Sequence, residues 1–560
     1  MILETDERIK EYTDNGAFVE ETMNDLLKET VKRYPEKVAL VDPLNKDSLV
    51  GLKPERFTYK EFDKTIDTLA SNFLEMGIKK DDIVIIQLPN IAEHVIAAFA
   101  LWRIGAMSSH VIVQFRTHEL SHILKLTEAT AFITPINFHG FDHLDMAKRL
   151  QSEFPHLKHI ISIPDLREMM FSGSIEEGRL NEIKNDANEI ISITWTSGTE
   201  AEPKGCPRSH NSFIGMGKLC GSAAQMTPDD VILCPFPLQY LSSTSVFTTP
   251  VFLVGGTYIL HHPFDMETFF QQLQDEKVTY SGGSPAMHLM MLNNPNIDKY
   301  DLSSLRLMMT GSAPAPGYVV KTYKEKYGVE MINFWGQNEA TGFPSGPLDV
   351  PDPYLRVLTF PQFGKKGVTW HTFGTEYIET KIIDPDTDEE VTEVGKIGEL
   401  IYKCPFTIPC YFKNPVMTAK SWKGEFFRTG DFFRIEKDNL LTFYTRKKDI
   451  IIRGGQNISP EEIEDILQYH PKVLEVAVVG YPDPRLGEKT CACIVPKQGE
   501  TITLEEVVNF VKEKDVAVFK LPQRLEVMDH LPRNPAQKVQ KAVLRANIKE
   551  KLREEGVKVD

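Results

Sequence analysis

The residues best suited to do chemistry lie between positions 196 and 205. This stretch reads Thr-Ser-Gly-Thr-Glu-Ala-Glu-Pro-Lys-Gly. It follows an apolar, β-branched run over 190–195, which predicts a buried strand. Small hydroxyl residues and a glycine directly after a strand leave backbone N–H groups free to converge on an anion, and Lys204 adds a positive charge. The stretch therefore predicts a phosphate-binding loop.

This loop differs from the common P-loop, in which Gly-Lys is followed by Ser or Thr at the start of a helix. Here the order is Pro-Lys-Gly-Cys, and Pro203 interrupts the loop where that helix would begin. A hydroxyl-rich surface loop is the alternative interpretation, and it would be preferred if the stretch stood alone. The choice between them depends on the rest of the chain.

The stretch resembles the phosphate-binding signature of the adenylate-forming superfamily, which includes acyl- and aryl-CoA synthetases, peptide-synthetase adenylation domains and firefly luciferase. The family pattern is Ser/Thr-Ser-Gly-Thr-Thr-Gly-x-Pro-Lys-Gly, and this chain departs from it at Glu200 and Ala201. An acidic side chain beside a triphosphate is unfavourable unless it turns outward or faces Mg²⁺. The resemblance implies a catalytic role for Thr196 and Lys204 and a Mg²⁺-binding role for Thr199. The ATP-binding residues that it implies in this loop are Thr196, Ser197, Gly198, Thr199 and Lys204.

A second segment, over 333–339, resembles the family pattern Tyr-Gly-x-Thr-Glu. The resemblance implies that Trp335 stacks on adenine in place of the family tyrosine and that Glu339 holds Mg²⁺ as a catalytic residue. A hard cation prefers carboxylate oxygen and would neutralise the triphosphate as it is attacked. Read alone, one glutamate after a glycine turn would mean little. The nucleotide-binding residues implied in this region are Gly311, Ser312, Ala313, Asn333, Trp335, Gly336 and Asn338.

Three further motifs follow in the family order. Residues 427–431 match the family Thr-Gly-Asp, which implies that Asp431 accepts hydrogen bonds from the ribose 2′- and 3′-hydroxyls, although a Gly-Asp pair is more often a turn. Arg446 falls where the family places an arginine that contacts ribose or phosphate, and Lys448 falls at the hinge of the small domain. Residues 453–460 resemble the segment that lines the pantetheine tunnel, which implies that Gly454 and Gly455 bind coenzyme A; a β-hairpin turn is the alternative.

The last motif, over 532–539, resembles the family pattern Pro-Arg-x-x-x-Gly-Lys, with Gln537 in place of the glycine. The resemblance implies that Lys538 is catalytic in the first half-reaction. Alone, a lysine in a charged segment is usually a solvated side chain. Six motifs in family order, between about Thr22 and Lys541, make the resemblance specific.

The acyl pocket is placed by a segment over 235–241 that resembles the family pattern Pro-Leu-x-His, with Tyr240 replacing the histidine. In relatives this aromatic position borders the acyl pocket and the thiol channel, while a core tyrosine is an equally good interpretation. Residues 282–287 and 310–314 each follow a predicted strand, and their small side chains let a flat base and an acyl chain approach the backbone. No charge near them is placed to bind an amino group. The acyl-pocket residues are Tyr240, Gly283, Ser284 and Ser312.

Alternating helix and strand patterns must position these motifs. Apolar periodicity predicts helices over 22–34, 62–73, 91–104 and 120–126, and strands over 38–41, 83–86 and 131–134 and near Val111. After Phe443 a smaller unit begins, with helices over 461–467 and 504–513 and strands over 473–479 and 490–495. We therefore predict an α/β fold: a large N-terminal domain of layered α/β subdomains with largely parallel sheet over 1–447, and a small mobile C-terminal α+β domain over 448–560.

Composition excludes several classes. The 560 residues are 41% hydrophobic and 25% charged, which is ordinary for a globular protein of two to four domains. A net charge of −16 without a basic tract argues against nucleic acid as a partner. Seven scattered cysteines favour reduced thiols over disulfides or zinc. The first residues lack the apolar core of a signal peptide, and no apolar stretch is long enough to span a bilayer. We expect a cytoplasmic protein.

The function implied by the resemblance is that of a carboxylate–CoA ligase using ATP, Mg²⁺ and coenzyme A. A medium-chain, alicyclic or aromatic acid would attack the α-phosphorus of ATP, giving acyl-AMP and pyrophosphate, and coenzyme A would then take the acyl group. Two alternatives stay open: a stand-alone adenylation enzyme that loads a carrier-protein pantetheine, and a nucleotide-binding homologue without turnover, suggested by Glu200, Ala201 and Gln537. The sequence leaves the oligomeric state open, with a homodimer as one candidate.

Overall fold

The structure, a computed structural model, describes residues 1–196, 203–311, 315–514, 516–534 and 537–557. The chain divides into two compact units: unit one is Met1–Glu379 with Lys403–Phe427, and unit two is Thr380–Tyr402 with Arg428–Asp560. Helices and sheets alternate in unit one and mix in unit two, which confirms the predicted α/β class with a large and a small part. The boundary at Lys448 stays a prediction; this residue lies in a turn between two sheets of unit two.

The first sheet of unit one has eight strands. Its six central strands are parallel and both edge strands are antiparallel. The carboxyl ends of the parallel strands therefore share one edge, where ligand sites of α/β folds are found. In spatial order the strands are Phe343–Ser345, Glu330–Trp335, Leu307–Gly311, Tyr280–Gly282, Val231–Cys234, Thr257–Leu260, Val38–Val41 and Arg56–Thr58.

The second sheet has six strands, two of which flank the predicted phosphate-binding loop. The strand Ile190–Trp195, predicted over the same residues, is buried along its whole length and lies parallel to Met107–His110. It pairs antiparallel with Gly205–Ser209, which sequence analysis missed. The loop therefore connects two antiparallel neighbours. In spatial order the strands are Gly205–Ser209, Ile190–Trp195, Met107–His110, Ile83–Ile86, Ala131–Thr134 and His159–Ser162.

The helix Tyr59–Glu75 illustrates how the sequence builds these layers. Thr58 and Glu61 form a capping box that satisfies the first amides of the helix. Phe62, Ile66 and Phe73 recur at helical spacing and are fully buried. The helix ends just before Gly77, which has a φ of 86° that glycine adopts without strain. The predicted helix with its apolar stripe is confirmed.

The helices of unit one cover both sheets. The predicted helices at 22–34, 91–104 and 120–126 are confirmed within a few residues, and Ala92–Arg103 is buried along its whole length. A π-helical segment, Thr244–Thr248, separates two short helices after the tyrosine of the predicted acyl pocket. The longer α-helices are Asp6–Asp14, Met23–Arg33, Tyr59–Glu75, Ala92–Arg103, Thr117–Thr127, His143–Glu153, Ile163–Phe171, His210–Ala223, Met266–Asp275 and Pro285–Leu292. The shorter ones are Lys46–Val50, Glu177–Glu182, Leu241–Ser243, Thr249–Val254, Gly317–Thr322, Pro353–Arg356 and Pro415–Ser421.

Unit two contains two sheets. In the first, the strands run in the order Leu440–Arg446, Phe426–Ile435, Ile397–Lys403 and Glu379–Ile383. The second is built from Gln456–Ile458, Ile451–Arg453, Gly487–Pro496, Val473–Asp483 and Arg524–Val527. One face of this second sheet packs on helices Pro460–Leu467 and Leu504–Lys512, and the other on Lys541–Glu554.

Cysteine placement follows the strand pattern. Cys491 and Cys493 lie two residues apart on Gly487–Pro496 and bury their thiols in the same hydrophobic cluster, as the sequence predicted for same-face residues. All seven cysteines carry free thiols, and six of them are buried. Within the described residues, no helix combines the length and the apolar character needed to cross a membrane.

Candidate functional site

Thr196 and Lys204 lie at the two ends of the predicted phosphate-binding loop. The Thr196 amide donates to the Lys204 carbonyl at 3.1 Å, and the Lys204 amide donates to the Thr196 hydroxyl at 3.1 Å. These two bonds extend the antiparallel pairing by one residue and fix the points where the loop leaves and rejoins the sheet. Ser197, Gly198, Thr199, Glu200 and Ala201 lie outside the described residues, so their predicted roles stay predictions.

The Lys204 side chain lies beside Glu339, the predicted Mg²⁺ ligand. Its Nζ is 3.5 Å from Glu339 Oε1. The hydroxyl of Tyr411 donates to the same oxygen at 2.9 Å, and Lys204 Nζ is 3.4 Å from that hydroxyl. Unit one therefore brings together two predicted catalytic residues that are far apart in sequence, together with a tyrosine that sequence analysis missed.

The backbone around Glu339 is held by a buried arginine. Arg208, on the strand Gly205–Ser209, is fully buried. Its Nη2 donates to the carbonyl of Asn338 at 2.9 Å and to that of Ala340 at 3.4 Å. Its Nη1 donates to the carbonyl of Phe406. A charge so deeply buried is tolerated because several carbonyl oxygens accept hydrogen bonds from the guanidinium. The strand that follows the predicted phosphate-binding loop thus also fixes the segment of the predicted metal ligand.

The predicted adenine-binding residues lie at or beside the carboxyl ends of the first sheet. Gly311 ends its strand where a side chain would not fit, because a Cβ would lie 2.6 Å from the Phe334 carbonyl oxygen. Trp335 ends the next strand and stacks on Phe343 at 4.9 Å between ring centroids, with Gly336 following it. Asn333 donates its side-chain amide to the Val357 carbonyl at 2.7 Å. Ser312 and Ala313 lie outside the described residues, and the nucleotide contacts of this group stay predictions.

The predicted acyl-pocket residues follow other strands of the same sheet. The hydroxyl of Tyr240 is buried, and no described residue forms a hydrogen bond with it. Burial raises the pKa of this phenol, so it stays protonated at neutral pH. A Cβ at Gly283 would lie 3.0 Å from Met287 Cβ. Ser284 caps the helix Pro285–Leu292 by accepting from the Met287 amide at 3.3 Å.

In unit two, Asp431 and Arg446 face each other on paired strands. Arg446 Nε is 3.2 Å from Asp431 Oδ1, and the Asp431 side chain is only 2% exposed. Asp431 thus lies in a strand rather than in an isolated turn. The pair supplies one buried carboxylate acceptor and one cation at the place predicted to bind ribose and phosphate.

Lys538 belongs to the same group in unit two. The nearby Arg446 guanidinium, together with burial, lowers the pKa of the Lys538 amine to about 7, although Asp431 and Asp449 act in the opposite direction. The pKa is lowered because the two cations repel each other, and deprotonation of the Lys538 amine removes this repulsion. The structure therefore places the predicted catalytic lysine near the predicted ribose-binding residues.

The loop before Lys538 keeps the conformation that the family glycine would supply. Gln537 has a φ of 61°, in the left-handed region. Its carbonyl accepts from Arg533 Nη1 at 2.6 Å, and its amide donates to the Asn534 carbonyl at 2.8 Å. The Lys538 amide donates to Asn534 Oδ1 at 2.9 Å. The replacement of glycine by glutamine is thus accommodated at the cost of an uncommon backbone conformation.

The residues predicted for coenzyme A binding and hinge motion also lie in unit two. Gly454 and Gly455 have φ values of 57° and 80° and form the turn of a hairpin between Ile451–Arg453 and Gln456–Ile458. This is the alternative structure that the sequence offered for them, and two successive positive φ values explain why both are glycine. Lys448 lies in the turn before this hairpin. The roles of all three stay predictions.

The donor set suits a magnesium ion that arrives with its nucleotide. Among the residues that the structure describes, no group of three or more His, Cys, Asp or Glu side chains could hold a metal. Glu339 offers one carboxylate beside the phosphate-binding loop. Mg²⁺ is usually held by one or two carboxylates, waters and substrate phosphates, which is the arrangement that this single carboxylate permits.

Comparison with known proteins gives the family. The model of the AMP-binding enzyme family matches residues 27–412, and that of the AMP-binding enzyme C-terminal domain matches residues 462–538. A medium-chain fatty-acid–CoA ligase of Escherichia coli is 29% identical over 555 residues, covering 98% of this chain and 94% of that protein. A 2,3-dihydroxybenzoate-AMP ligase of Bacillus subtilis is 30% identical over 553 residues, covering 98% and 97%.

Solved structures agree on the fold. The anthranilate CoA ligase AuaEII, in complex with anthranoyl-AMP, has a TM-score of 0.80 at 22% identity and covers 94% of this chain and 97% of its own. ATP-bound MatB from Rhodopseudomonas palustris has a TM-score of 0.79 at 23% identity, covering 94% and 99%. The family models and the curated relatives show that the chain belongs to the AMP-binding enzyme family and is an adenylate-forming, AMP-forming acid–thiol ligase.

Proposed function

We propose that the protein is a carboxylate–CoA ligase that activates a medium-chain, alicyclic or aromatic acid with MgATP and transfers the acyl group to coenzyme A. The observation that carries the proposal is the position of Lys204 Nζ, 3.5 Å from Glu339 Oε1 at the end of the phosphate-binding loop. A cation and a metal-binding carboxylate beside one loop suit a magnesium–triphosphate complex. The named activities of relatives, a medium-chain fatty-acid–CoA ligase among them, support the thiol and the acid class.

The residues of unit one would hold the triphosphate. Magnesium bound to ATP offsets phosphate charge, and Glu339 would be its protein ligand. Lys204 would pair with phosphate oxygen, and backbone amides of the loop that starts at Thr196 would add donors. Both reactants of the first step are anions, so positioning and charge neutralisation carry most of the catalysis.

The residues of unit two would hold the ribose and complete the charge balance. Asp431 is a buried carboxylate that can accept from two vicinal hydroxyls. Lys538 in its cationic form would stabilise the negative charge that develops as the carboxylate attacks the α-phosphorus, because an ammonium is a compact point charge on a long arm. No general base is required, since the attacking carboxylate is already ionised at neutral pH.

The acid would bind near Tyr240 and Gly283. The buried phenol of Tyr240 is neutral, and at Gly283 a Cβ would lie only 3.0 Å from Met287 Cβ, so the backbone itself rather than a side chain would border the acid there. A neutral pocket favours an uncharged acyl chain or ring over an amino acid, whose ammonium group would need a counter-charge. The proposed setting is fatty acid metabolism or that of related cyclic acids in the cytoplasm, with a homodimer as a candidate assembly.

Lys538 would act in adenylation, the first half-reaction, and not in thioester formation, the second. After adenylation, unit-two residues beyond Lys448 would turn, withdraw Lys538 and present Gly454 and Gly455 to coenzyme A. The variant Lys538→Ala should lose acid-dependent pyrophosphate exchange by about 100-fold or more while it keeps most thioester formation from supplied acyl-adenylate. Equal loss of both reactions would exclude this division of labour.

A second candidate function, that of a stand-alone adenylation enzyme that loads a carrier-protein pantetheine, is supported by one specific comparison. The Bacillus subtilis relative, at 30% identity, is named a 2,3-dihydroxybenzoate-AMP ligase, with no coenzyme A in its name. An ATP assay over a panel of straight-chain, alicyclic and aromatic acids, with and without coenzyme A, separates the candidates. Acyl-CoA formation supports the ligase, adenylate formation without transfer to coenzyme A supports loading of a carrier-protein pantetheine, and ATP binding without AMP release supports a homologue without turnover.

A further inference from the structure

Tyr411 occupies a position between the two charged residues of the triphosphate site. Its hydroxyl donates to Glu339 Oε1 at 2.9 Å, and its ring lies 4.7 Å from Lys204 Nζ in a cation–π contact. The residue is only 4% exposed. The Tyr411 hydroxyl therefore donates its one hydrogen bond to the predicted metal-binding carboxylate, which a side chain that only packs in the core would not do.

The backbone of Glu339 is fixed independently of this contact. Arg208 donates to the carbonyls on either side, those of Asn338 and Ala340. The carbonyl of Glu339 itself accepts from the Ile408 amide at 3.2 Å. With three successive carbonyls held, the remaining freedom of Glu339 lies in its side-chain torsions, and those decide where the carboxylate points.

Tyr411 is itself anchored to the frame of the site. Its amide donates to the Thr418 hydroxyl at 3.0 Å, and its ring meets Trp422 edge to face at 6.4 Å between centroids. The next residue, Phe412, donates its amide to the Gly205 carbonyl at 2.9 Å, at the end of the phosphate-binding loop. The phenol is therefore fixed relative to the loop that would bind the phosphates.

The Tyr411 and Lys204 contacts engage the same carboxylate oxygen. Tyr411 and Lys204 approach Glu339 Oε1, and no described residue forms a hydrogen bond with Oε2. One oxygen is thus held by the protein and the other is left for a cation.

We propose that Tyr411 is a positioning residue that orients the Glu339 carboxylate for the magnesium ion of MgATP. The inference rests on the proposed function, because it requires that Glu339 bind the metal. Hydrogen-bonded partners of metal-binding carboxylates orient the ligand, and their loss typically weakens metal affinity about 10–100-fold.

The test is Tyr411→Phe, which removes the hydroxyl and keeps the ring contacts with Lys204 and Trp422. The matched control is Tyr59→Phe: Tyr59 is fully buried, and its hydroxyl donates to the Gly256 carbonyl at 2.7 Å, at the amino-terminal edge of the first sheet. Mn²⁺ replaces Mg²⁺ as the probe, and its binding to the intact protein with α,β-methylene-ATP is titrated by electron paramagnetic resonance. We expect the dissociation constant of Mn²⁺ to rise about tenfold or more in Tyr411→Phe and to stay unchanged in Tyr59→Phe.

The outcomes distinguish this inference from the function on which it rests. Wild-type protein that shows no analogue-dependent Mn²⁺ binding would overturn both. Wild-type binding that Tyr411→Phe retains in full would overturn the role of Tyr411 alone. A Tyr411→Phe variant that unfolds at the assay temperature while Tyr59→Phe stays folded would assign Tyr411 to the core and also overturn the proposal. In the supporting outcome, the Mg²⁺ concentration for half-maximal pyrophosphate exchange rises in parallel while KM for the acid stays constant.

Discussion

The most informative perturbation is Arg446→Met, because it addresses the charge state of Lys538. The Arg446 guanidinium is the largest influence that lowers the pKa of the Lys538 amine from 10.5 to about 7. The proposed mechanism requires the cationic amine. Protein without nucleotide should therefore lose the active form as pH rises through about 7.

The magnitude follows from this pKa. At pH 7 about half of the nucleotide-free protein carries a charged Lys538, and at pH 8 about one-tenth does. Without Arg446 the pKa moves back toward 10.5, and a rise of only about one unit already leaves about half of the molecules charged at pH 8. Burial still lowers the pKa in the variant, which makes a shift of one pH unit or more the expected result rather than full recovery.

The assay is the pH dependence of kcat/KM for ATP in acid-dependent pyrophosphate exchange, since this parameter reports the free enzyme. The wild-type value should fall about tenfold per pH unit above pH 7, and the variant should hold a lower plateau to higher pH. The lower plateau is expected because Arg446 is itself predicted to contact ribose or phosphate.

Arg434→Met is the matched control, since Arg434 lies on the same strand as Asp431 but is 46% exposed and paired with Glu436. The Arg434→Met variant should show the same pH dependence of kcat/KM for ATP as the wild-type protein. A wild-type profile that is flat to pH 9, or an alkaline limb that Arg446→Met does not move, would refute the assignment of Lys538 as the titrating catalytic cation.

Two further predictions concern stability. Gln537→Gly should raise the free energy of unfolding by about 0.5–1 kcal/mol, because glycine adopts a φ near 61° without strain, and urea titration would measure it; a loss of stability would contradict this reading of the loop. Lys46→Met should lower it by about 3–5 kcal/mol, because the fully buried Lys46 pairs with Asp42 at 2.6 Å and Glu93 at 2.8 Å, and its loss removes the cation paired with Asp42 and leaves Glu93 with Arg167. The exposed control Lys10→Met should change it by less than about 1 kcal/mol, and equal effects of the two variants would contradict the argument.

Much of the fold could be predicted because local pattern and final environment agree. The strands Ile83–Ile86 and Ala131–Thr134 were predicted to the residue, since each is a short apolar run that is buried on both faces. Strand Gly205–Ser209 was missed because a proline and an arginine interrupt it. Its pairing with Ile190–Trp195 overrides that weak local preference.

The site was only partly predictable for a different physical reason. Lys204, Glu339 and Lys538 lie in motifs whose residue types predict their chemical roles. Tyr411 carries no such motif and meets Lys204 across 207 positions of sequence. Arg208 offered one signal, because it is a charged residue next to a predicted strand and loop. Its acceptors are backbone carbonyls, however, and the pattern of side chains in a sequence does not indicate which carbonyls will lie nearby. Contacts of this kind come from tertiary structure alone.

Each unit pairs its predicted ATP-binding cation with an acidic residue. Lys204 lies 3.5 Å from Glu339, and Arg446 lies 3.2 Å from Asp431. Removing one member of either pair would leave the other charge without this partner, which is costly where the charge is buried. Binding of MgATP would then exchange partners: phosphate takes Lys204 while the metal takes Glu339, and hydroxyls or phosphate engage Asp431 and Arg446. Under the proposed function, each of these four charges would thus have an oppositely charged or polar partner both with and without the nucleotide.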